Sequence, residues 1–382
     1  MHIALLRRQV SGPGGAEATL IRLARGFAQA GRRVTILAET DNANALRHLG
    51  PGVQVRRVPV WGGKTGRLLS YALNSRRVAA ACGAEVVFSL ERVFNPHVYR
   101  AGDGVHREWL ARQGATLPAA TRLARAVRPF HRVMLWLEKR LFASPELTWV
   151  IANSRMVQGD ILRHFPLSPE KIRVIYNGLD HQEFALRPGA ERRELRSRLG
   201  GNGAAPVVLF VGSGFERKGL AYLLESFSRL KDKKAELWVV GKGRIPRYEA
   251  LAANLGISPR VRFFGPRREV APFYQAASLL ALPTLYDPLS NAVLEAMACG
   301  CPVITTSANG AAEFITPGEN GEVLPRAEDP RTWAETLAVW TERDREEQVH
   351  EAAARAVAHL SWDATVTLTL EVLEDAISHR RG

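Results

Sequence analysis

Short runs of aliphatic and β-branched residues alternate with helix-length amphipathic stretches along this sequence, and the alternation runs through twice. Strands that read as unbroken apolar runs are buried on both faces, so the pattern predicts parallel sheets flanked by helices. In the first half the predicted strands are residues 2–6, 33–38, 53–58, 85–90, 149–152 and 172–175. In the second half they are residues 207–211, 236–240, 261–264, 279–282 and 302–305. Residues 16–30 read as a helix with Leu20, Leu23, Ala24, Phe27 and Ala28 on one face and Gly31 as its stop. The stretch 176–203, rich in Gly, Pro and charge, reads as a linker with one helical piece at 191–199. With 382 residues the chain is long enough for two cores. Residues 362–379 form a helix that follows another helix, which predicts that it leaves the second domain and packs elsewhere.

Hydrophobic residues make up 46% and charged residues 24% of the chain, the balance of an ordered globular protein. No apolar run approaches the roughly 18 residues of a membrane-crossing helix. The apolar start, His2 to Leu6, precedes Arg7 and Arg8, the reverse of the order in a signal peptide. Cys82, Cys299 and Cys301 form no C-x-x-C pair and no spaced set with histidines, so reduced thiols and no zinc site are expected. Together these features predict a cytoplasmic protein.

Charge divides the chain unevenly. Through Asn177 there are 27 Lys and Arg against 11 Asp and Glu, a balance of +16; beyond it there are 25 against 27, or −2, matching the net +14. Such asymmetry points to an anionic partner for the first half, either nucleic acid or an acidic membrane face.

Three loops carry candidate chemistry. After the first strand comes Ser11-Gly12-Pro13-Gly14-Gly15-Ala16-Glu17. Its Gly14 and Gly15 could let backbone N–H groups approach an anion, or could simply make a strand-to-helix turn. At the head of the second half, Gly212-Ser213-Gly214-Phe215-Glu216-Arg217-Lys218-Gly219 places two cations in a helix-entry turn. Cations oppose the helix dipole there, so a role for Arg217 and Lys218 in neutralising a diphosphate outweighs simple solvation.

The third loop, Pro283-Thr284-Leu285-Tyr286-Asp287-Pro288-Leu289-Ser290, leads into a helix from about Asn291 to Gly300. The N–H groups of Ser290, Asn291, Ala292 and Val293 read as free, making an anion seat at the carboxyl edge of the sheet. Glu295, one turn into that helix, suits a ribose diol, and Asp287 suits sugar hydroxyls. Both Lys218 and Glu295 sit at loop or helix-start positions, so truncating either is expected to leave the fold intact.

The stretch from Asp287 to Glu295 resembles the E-x7-E signature of retaining glycosyltransferases of family 4, which have the GT-B fold. Gly14-Gly15, Tyr176-Asn177-Gly178-Leu179-Asp180 and Gly212…Arg217-Lys218-Gly219 match that family too, so the likeness covers most of the chain. Val98-Tyr99-Arg100-Ala101-Gly102-Asp103-Gly104-Val105-His106 looks closest to the branch that adds the first core glucose of lipopolysaccharide. The resemblance implies an α/β protein of two facing Rossmann-like domains with a cleft between them. The expected bounds are 1–176 and 177–361, with 362–382 packing back on the first.

It further implies that Glu295 holds the ribose. Gly212, the backbone near Ser290, Asn291 and Ala292, and the Arg217 and Lys218 cations would hold the diphosphate. Gly14-Gly15 would close on it, and Asp103 would face the donor sugar. Asp287 stands one methylene short of the family's usual Glu, and Thr19 replaces an acidic residue of the nearest branch. His97 and His106 lie near the region where many members place a donor-facing histidine, without aligning to it. The implied donor is a UDP-sugar, with glucose favoured; no cofactor or metal is expected, since no Asp-x-Asp motif is present. The implied acceptor is a glycolipid.

The segment 105–142 gathers Arg107, Arg112, Arg122, Arg125, Arg128, Arg132, Lys139 and Arg140 among Trp109, Phe130, Trp136 and several leucines. Leu123, Val127 and Phe130 are expected near one helical face, with Arg122, Arg125 and Arg132 toward another. Such a stretch suits lying on an anionic bilayer, which predicts peripheral attachment at the inner face of the cytoplasmic membrane. Solvated lid helices are the alternative. A nicotinamide dehydrogenase using Glu39 fails for want of a G-x-G-x-x-G loop. A nucleic-acid-binding protein would show a binding motif, and none is present. A sugar-nucleotide epimerase is the nearer rival, since it shares a diphosphate site without needing an acceptor.

Overall fold

The computed structural model describes residues 1–10, 15–40, 49–115 and 128–381. The chain divides into two compact units, residues 1–178 with 362–382, and residues 179–361. Elements are numbered in chain order among the described residues. Unit 1 contains β1 (His2–Leu6), α1 (Gly15–Gln29), β2 (Arg33–Ala38), β3 (Val53–Arg57), α2 (Lys64–Ala81), β4 (Val86–Ser89) and β5 (Val98–Arg100). It continues through α3 (His106–Ala115), α4 (Pro129–Phe142), β6 (Trp149–Ala152), α5 (Arg155–His164) and β7 (Ile172–Val174). Its sheet runs β3-β2-β1-β4-β5-β6-β7, all parallel.

Unit 2 contains α6 (Gly189–Arg198), β8 (Val207–Val211), α7 (Leu220–Ser228), β9 (Glu236–Val240), α8 (Ile245–Asn254), β10 (Val261–Gly265) and α9 (Ala271–Ala276). After these come β11 (Leu279–Leu282), α10 (Asn291–Ala298), β12 (Val303–Thr306), β13 (Gly321–Leu324), α11 (Pro330–Glu342) and α12 (Glu347–Val357). Its sheet is parallel in the order β10-β9-β8-β11-β12-β13. These are two Rossmann-like α/β domains. In each, the strand order reverses once, between β1 and β4 and between β8 and β11, and such switch points open ligand crevices at the carboxyl edge.

The final helix, α13 (Trp362–Arg381), belongs to unit 1. Its Val366, Leu370, Leu373 and Ala376 join one buried cluster with Ile3, Leu5, Leu20, Phe27 and Phe88. Gly26 makes that close packing possible: a Cβ there would lie 2.4 Å from a Val366 methyl. The sheet's other face packs Ala4, Leu6, Leu37 and Val58 against Leu68 and Tyr71 of α2 and Leu137 of α4.

Three sequence expectations change. Residues 179–203 are not a linker: they belong to unit 2, and α6 buries Arg192 and Arg196. Two strands were missing from the pattern, β5 and β13. The first is three residues long and runs at once into Ala-Gly-Asp-Gly, and the second begins with a glycine, so neither shows an apolar run. Finally, Leu123, Val127, Arg122 and Arg125 lie outside the described residues, so the expected helical faces are seen only on α4. There Leu137, Glu138, Leu141 and Phe142 are buried while Arg132, Trp136, Lys139 and Arg140, with Arg128 just before the helix, are exposed.

Candidate functional site

In unit 2 the switch point is built from the loops that follow β8 and β11. The strand β8, Val-Val-Leu-Phe-Val, is entirely buried and delivers the chain to Gly212 at its carboxyl end. The loop then turns back to start α7 at Gly219, whose φ is +78°. A Cβ at Gly219 would lie 1.9 Å from the Pro283 carbonyl oxygen, so only glycine lets the two loops touch. Leu285 N–H donates to the Arg217 carbonyl at 3.0 Å, which fastens them in register.

That contact brings together residues 69 positions apart. Lys218 Nζ donates to Asp287 Oδ2 at 2.5 Å and to Ser290 Oγ at 3.1 Å. Arg217 Nη1 donates to the Tyr286 carbonyl at 2.9 Å and lies 3.4 Å from Asp287 Oδ2. Lys218 and Asp287 are buried, at 7% and 6% exposure, whereas the Arg217 side chain is 37% exposed. Burial pushes the Asp287 carboxyl up, but Lys218 and Arg217 outweigh it and hold Asp287 below the usual carboxylate range. Burial lowers the Lys218 ammonium, with Asp287 opposing the fall. The pair is held ionised by geometry and not by solvent.

Asp287 is itself clamped through its backbone. Its N–H donates to the Ala308 carbonyl at 2.9 Å, and Gly310 N–H donates to its carbonyl at 2.9 Å. Asn309 is buried among them, accepting at Oδ1 from the N–H groups of Ser290 (3.3 Å) and Ala311 (3.1 Å). The helix α10 starts directly after Ser290, as the sequence predicts, and Glu295 is half-buried on it, accepting from the Tyr274 hydroxyl at 2.9 Å.

Two expectations are corrected here. The N–H groups of Ser290 and Val293 are not free, since the first meets Asn309 and the second donates to the Ser290 carbonyl at 3.1 Å. Two of the four N–H groups expected to be free at the start of α10 are therefore engaged within the protein. Nor is Lys218 a dispensable cleft side chain. Removing it would leave a buried carboxylate with only the partly exposed Arg217 at 3.4 Å, so the fold is not expected to be indifferent.

In unit 1 the corresponding edge carries a second charged group. Arg7 follows β1, Glu91 follows β4 and Asp103 follows β5. Arg7 Nη1 donates to Asp103 Oδ2 at 3.1 Å, and its Nε lies 3.5 Å from Glu91. The Asp103 side chain is 45% exposed. Beside it, Glu39 is buried between Arg8 and Arg67, so the carboxylate that a dehydrogenase would present to a ribose is already engaged. Gly15 is the exposed first residue of α1, and Gly14 lies outside the described residues.

The two histidines occupy different ends of the sheet. His97 precedes β5, accepts from Val87 N–H at 3.0 Å and lies 3.0 Å from Arg380 of α13. Burial, then Arg380 and Arg76, lower it to about 4. His106 opens α3 near Asp103, with Nε2 3.2 Å from His131 Nδ1. Burial, then Arg92 and His131, lower it to about 3. Its helix is held by Glu138 of α4, which accepts from the N–H groups of His106 (2.8 Å) and Arg107 (3.1 Å) and from Arg92 Nε (2.9 Å). Among the described residues no group of three or more His, Cys, Asp or Glu could hold a metal ion, and no helix is long and apolar enough to cross a membrane.

Sequence reasoning missed Tyr274, Asn309, Arg7 and Glu91. Each acts through a partner remote in sequence, and none stands in a recognisable spacing.

The chain matches two family descriptions, Glycosyltransferase Family 4 over residues 13–183 and Glycosyl transferases group 1 over residues 205–342. A D-inositol 3-phosphate glycosyltransferase from Salinispora arenicola (strain CNS-205) is 27% identical over 99% of this chain and 91% of its own length. Among solved structures, WaaG, a glycosyltransferase involved in lipopolysaccharide biosynthesis, superposes with a TM-score of 0.82 at 22% identity, covering 97% of this chain and 99% of its own. Anabaena Alr3699/HepE in complex with UDP gives 0.75 at 22% identity, with 98% and 100% covered. The chain is a glycosyltransferase of the GT-B type, matching Glycosyltransferase Family 4 in its first half and Glycosyl transferases group 1 in its second.

Proposed function

We propose that this GT-B glycosyltransferase moves a hexose, with glucose favoured, from a UDP-sugar to a cell-envelope glycolipid such as the lipopolysaccharide core, keeping the anomeric configuration. The observation that carries this reading is the Arg217–Lys218–Asp287 cluster at the switch point of unit 2, beside the start of α10 and Glu295. As the bond between the sugar's anomeric carbon and the phosphate oxygen breaks, negative charge grows on the departing diphosphate. Two adjacent cations, one of them fixed in a buried ion pair, meet that charge without reorganising. Asp287 keeps Lys218 protonated despite its burial. Glu295 takes the ribose hydroxyls, and backbone near Gly212, Ser290, Asn291 and Ala292 seats the phosphates. In the first domain Gly14, Gly15 and Asp103 are the residues assigned to the donor. The acceptor hydroxyl attacks the face the diphosphate leaves, and its proton passes to the departing diphosphate. No carboxylate is assigned as a covalent nucleophile, and transfer is expected to survive chelation of divalent metals.

The domain bounds suited to this reading are 1–176 and 177–361, with the final helix returned to the first domain. Peripheral attachment to the inner face of the cytoplasmic membrane is supported by exposed Arg128, just before α4, and by exposed Arg132, Trp136, Lys139 and Arg140 on it. The exposed Trp61 and Leu73 of unit 1 add apolar surface.

A soluble anionic acceptor is the second reading, favoured by the full-length similarity to D-inositol 3-phosphate glycosyltransferases. The test begins with a thermal-shift screen of nucleotide sugars, because stabilisation grows with ligand concentration over Kd. The stabilising donor is then incubated with truncated lipopolysaccharide or with inositol phosphate, and the product anomer is read by proton NMR. Inversion at the anomeric carbon, or conversion of the donor with no acceptor present, overturns the primary reading. Transfer to inositol phosphate alone selects the second.

A further inference from the structure

Tyr274 is 1% exposed, yet it carries a hydroxyl, and a buried hydroxyl needs a partner. It finds Glu295, 21 positions further along the chain, whose Oε2 accepts at 2.9 Å. Burial first, and then the Glu295 carboxylate, push the Tyr274 hydroxyl well above its ordinary value. The phenol therefore keeps its proton and donates, with the carboxylate as acceptor.

The two side chains are mounted unequally. Tyr274 sits on α9, which has six residues and is too short to stand without tertiary support. Its neighbours supply that support. Phe273 packs on Phe264 and Trp238, with ring centroids 4.9 and 6.3 Å apart, and Tyr274 itself meets Phe184 at 6.2 Å. Gln275 accepts from Arg187 Nε at 2.9 Å and donates to the Ala185 carbonyl at 3.0 Å. The Ala276 carbonyl accepts from buried Arg196 at 2.9 Å. The phenol is thus held on a fixed mount. Glu295 is half-buried on α10, and a glutamate side chain left to itself keeps much rotational freedom, which is lost on ordering. The Tyr274 hydroxyl is a fixed point that restrains it.

We propose that Tyr274 is a positioning residue for Glu295: its hydroxyl sets the carboxylate to accept from both hydroxyls of a ribose, so that the chain selects ribonucleotide over 2′-deoxyribonucleotide donors. This rests on the reading in which Glu295 takes the ribose. An ionised carboxylate offers about four acceptor positions, and Tyr274 uses one of them, on Oε2. A diol can donate to such a group through two hydroxyls at once, whereas a 2′-deoxyribose brings one. The gain from the second hydroxyl is largest when the carboxylate already waits in place. A ligand that must first order it gives part of that gain back.

The test is calorimetric titration of the full chain with UDP and with 2′-deoxy-UDP, alongside its unfolding midpoint. Wild type is expected to bind UDP about 10–100-fold more tightly, the worth of one hydrogen bond to a charged group. Tyr274→Phe removes one oxygen and leaves the ring contacts in place. It is expected to weaken UDP about tenfold and 2′-deoxy-UDP less than about threefold, so that the preference shrinks. In a Glu295→Gln background, adding Tyr274→Phe should change the preference no further, because the hydroxyl acts only through the carboxylate. A Tyr274→Phe protein that melts lower but keeps the wild-type preference has lost a structural bond alone, and that overturns the inference. So does an equal further loss of preference in the Glu295→Gln background. A wild type that binds both nucleotides alike removes the ribose reading of Glu295, and the inference falls with it.

Discussion

Asp287 and Asp103 each follow a strand at the carboxyl edge of a parallel sheet, yet their surroundings differ. Asp287 is 6% exposed, held by two cations and clamped by backbone bonds from two directions. The Asp103 side chain is 45% exposed and meets one arginine. In unit 2 the charges of the site are already balanced against one another inside the protein. In unit 1 Asp103 is open to solvent beside the largely buried Arg7 and Glu91 side chains, and the domain carries nearly all of the chain's positive excess. A preset electrostatic frame suits a ligand of fixed shape such as a nucleotide diphosphate, and an adaptable one suits a partner of variable shape.

The largest expected effect separates the two carboxylates. Lys218→Ala should lower transfer by about 10²–10³-fold and also cost up to about 3 kcal/mol of stability, since buried Asp287 loses the nearer of its two cations. Asp103→Asn should reduce transfer while changing stability by less than about 1 kcal/mol, as exposed ion pairs do. Lys218→Met combined with Asp287→Asn should recover stability but not activity. Equal unfolding midpoints for Lys218→Ala and Asp103→Asn would erase the distinction.

Glu295→Gln keeps an oxygen for the Tyr274 hydroxyl but removes the charge. A hydrogen bond to a charged group is worth about 1.5–3 kcal/mol, so UDP should bind about 10–100-fold more weakly by calorimetry, with Tm unchanged.

Acid should reach unit 1 earlier. Unfolded histidine titrates near about 6.5, while His97 and His106 are lowered to about 4 and about 3. The unfolded chain thus binds protons first, and stability falls as pH drops from about 6.5 toward those values. Buried His350, also lowered, gives unit 2 a single contribution of the same sign. Asp287 is depressed, so its contribution holds above the unfolded carboxyl value of about 3.9 and fades only as pH falls through the lower folded value. His106→Phe should flatten the acid limb of the unfolding curve, and an unchanged limb would place acid sensitivity elsewhere.

The smallest effect tests the charge excess. Each basic residue near an anionic bilayer is worth about 1 kcal/mol, so Arg132→Gln should weaken sedimentation with anionic liposomes about fivefold. Wild-type indifference to such liposomes at low salt would leave a soluble acceptor as the better reading.

The strand–helix alternation, α10 and its bounding Ser290 and Gly300, and the Asp287–Glu295 spacing were all legible because each is local. What the sequence could not display is pairing across distance. Lys218 reads as a cation in a turn, and only the Gly219–Pro283 approach makes it the buried partner of Asp287. Residues 176–203 read as a linker because charge and glycine usually mark solvent, whereas Arg196 spends its charge on Asp344, 148 positions away. Tyr274 and Asn309 carry no signature of their own, and their roles exist only once the sheet is assembled.

The return of α13 to unit 1 bears on the order in which the protein is made. A nascent chain leaving the ribosome has β1 through β7 available early, but the face holding Ile3, Leu20 and Phe27 lacks Val366, Leu370 and Leu373 until that later helix emerges. Unit 2, continuous from 179 to 361, can close first. Synthesis therefore runs from the amino end while completion runs the other way, and a chain stopped before residue 362 would carry an uncovered greasy groove along α1 for chaperones to find.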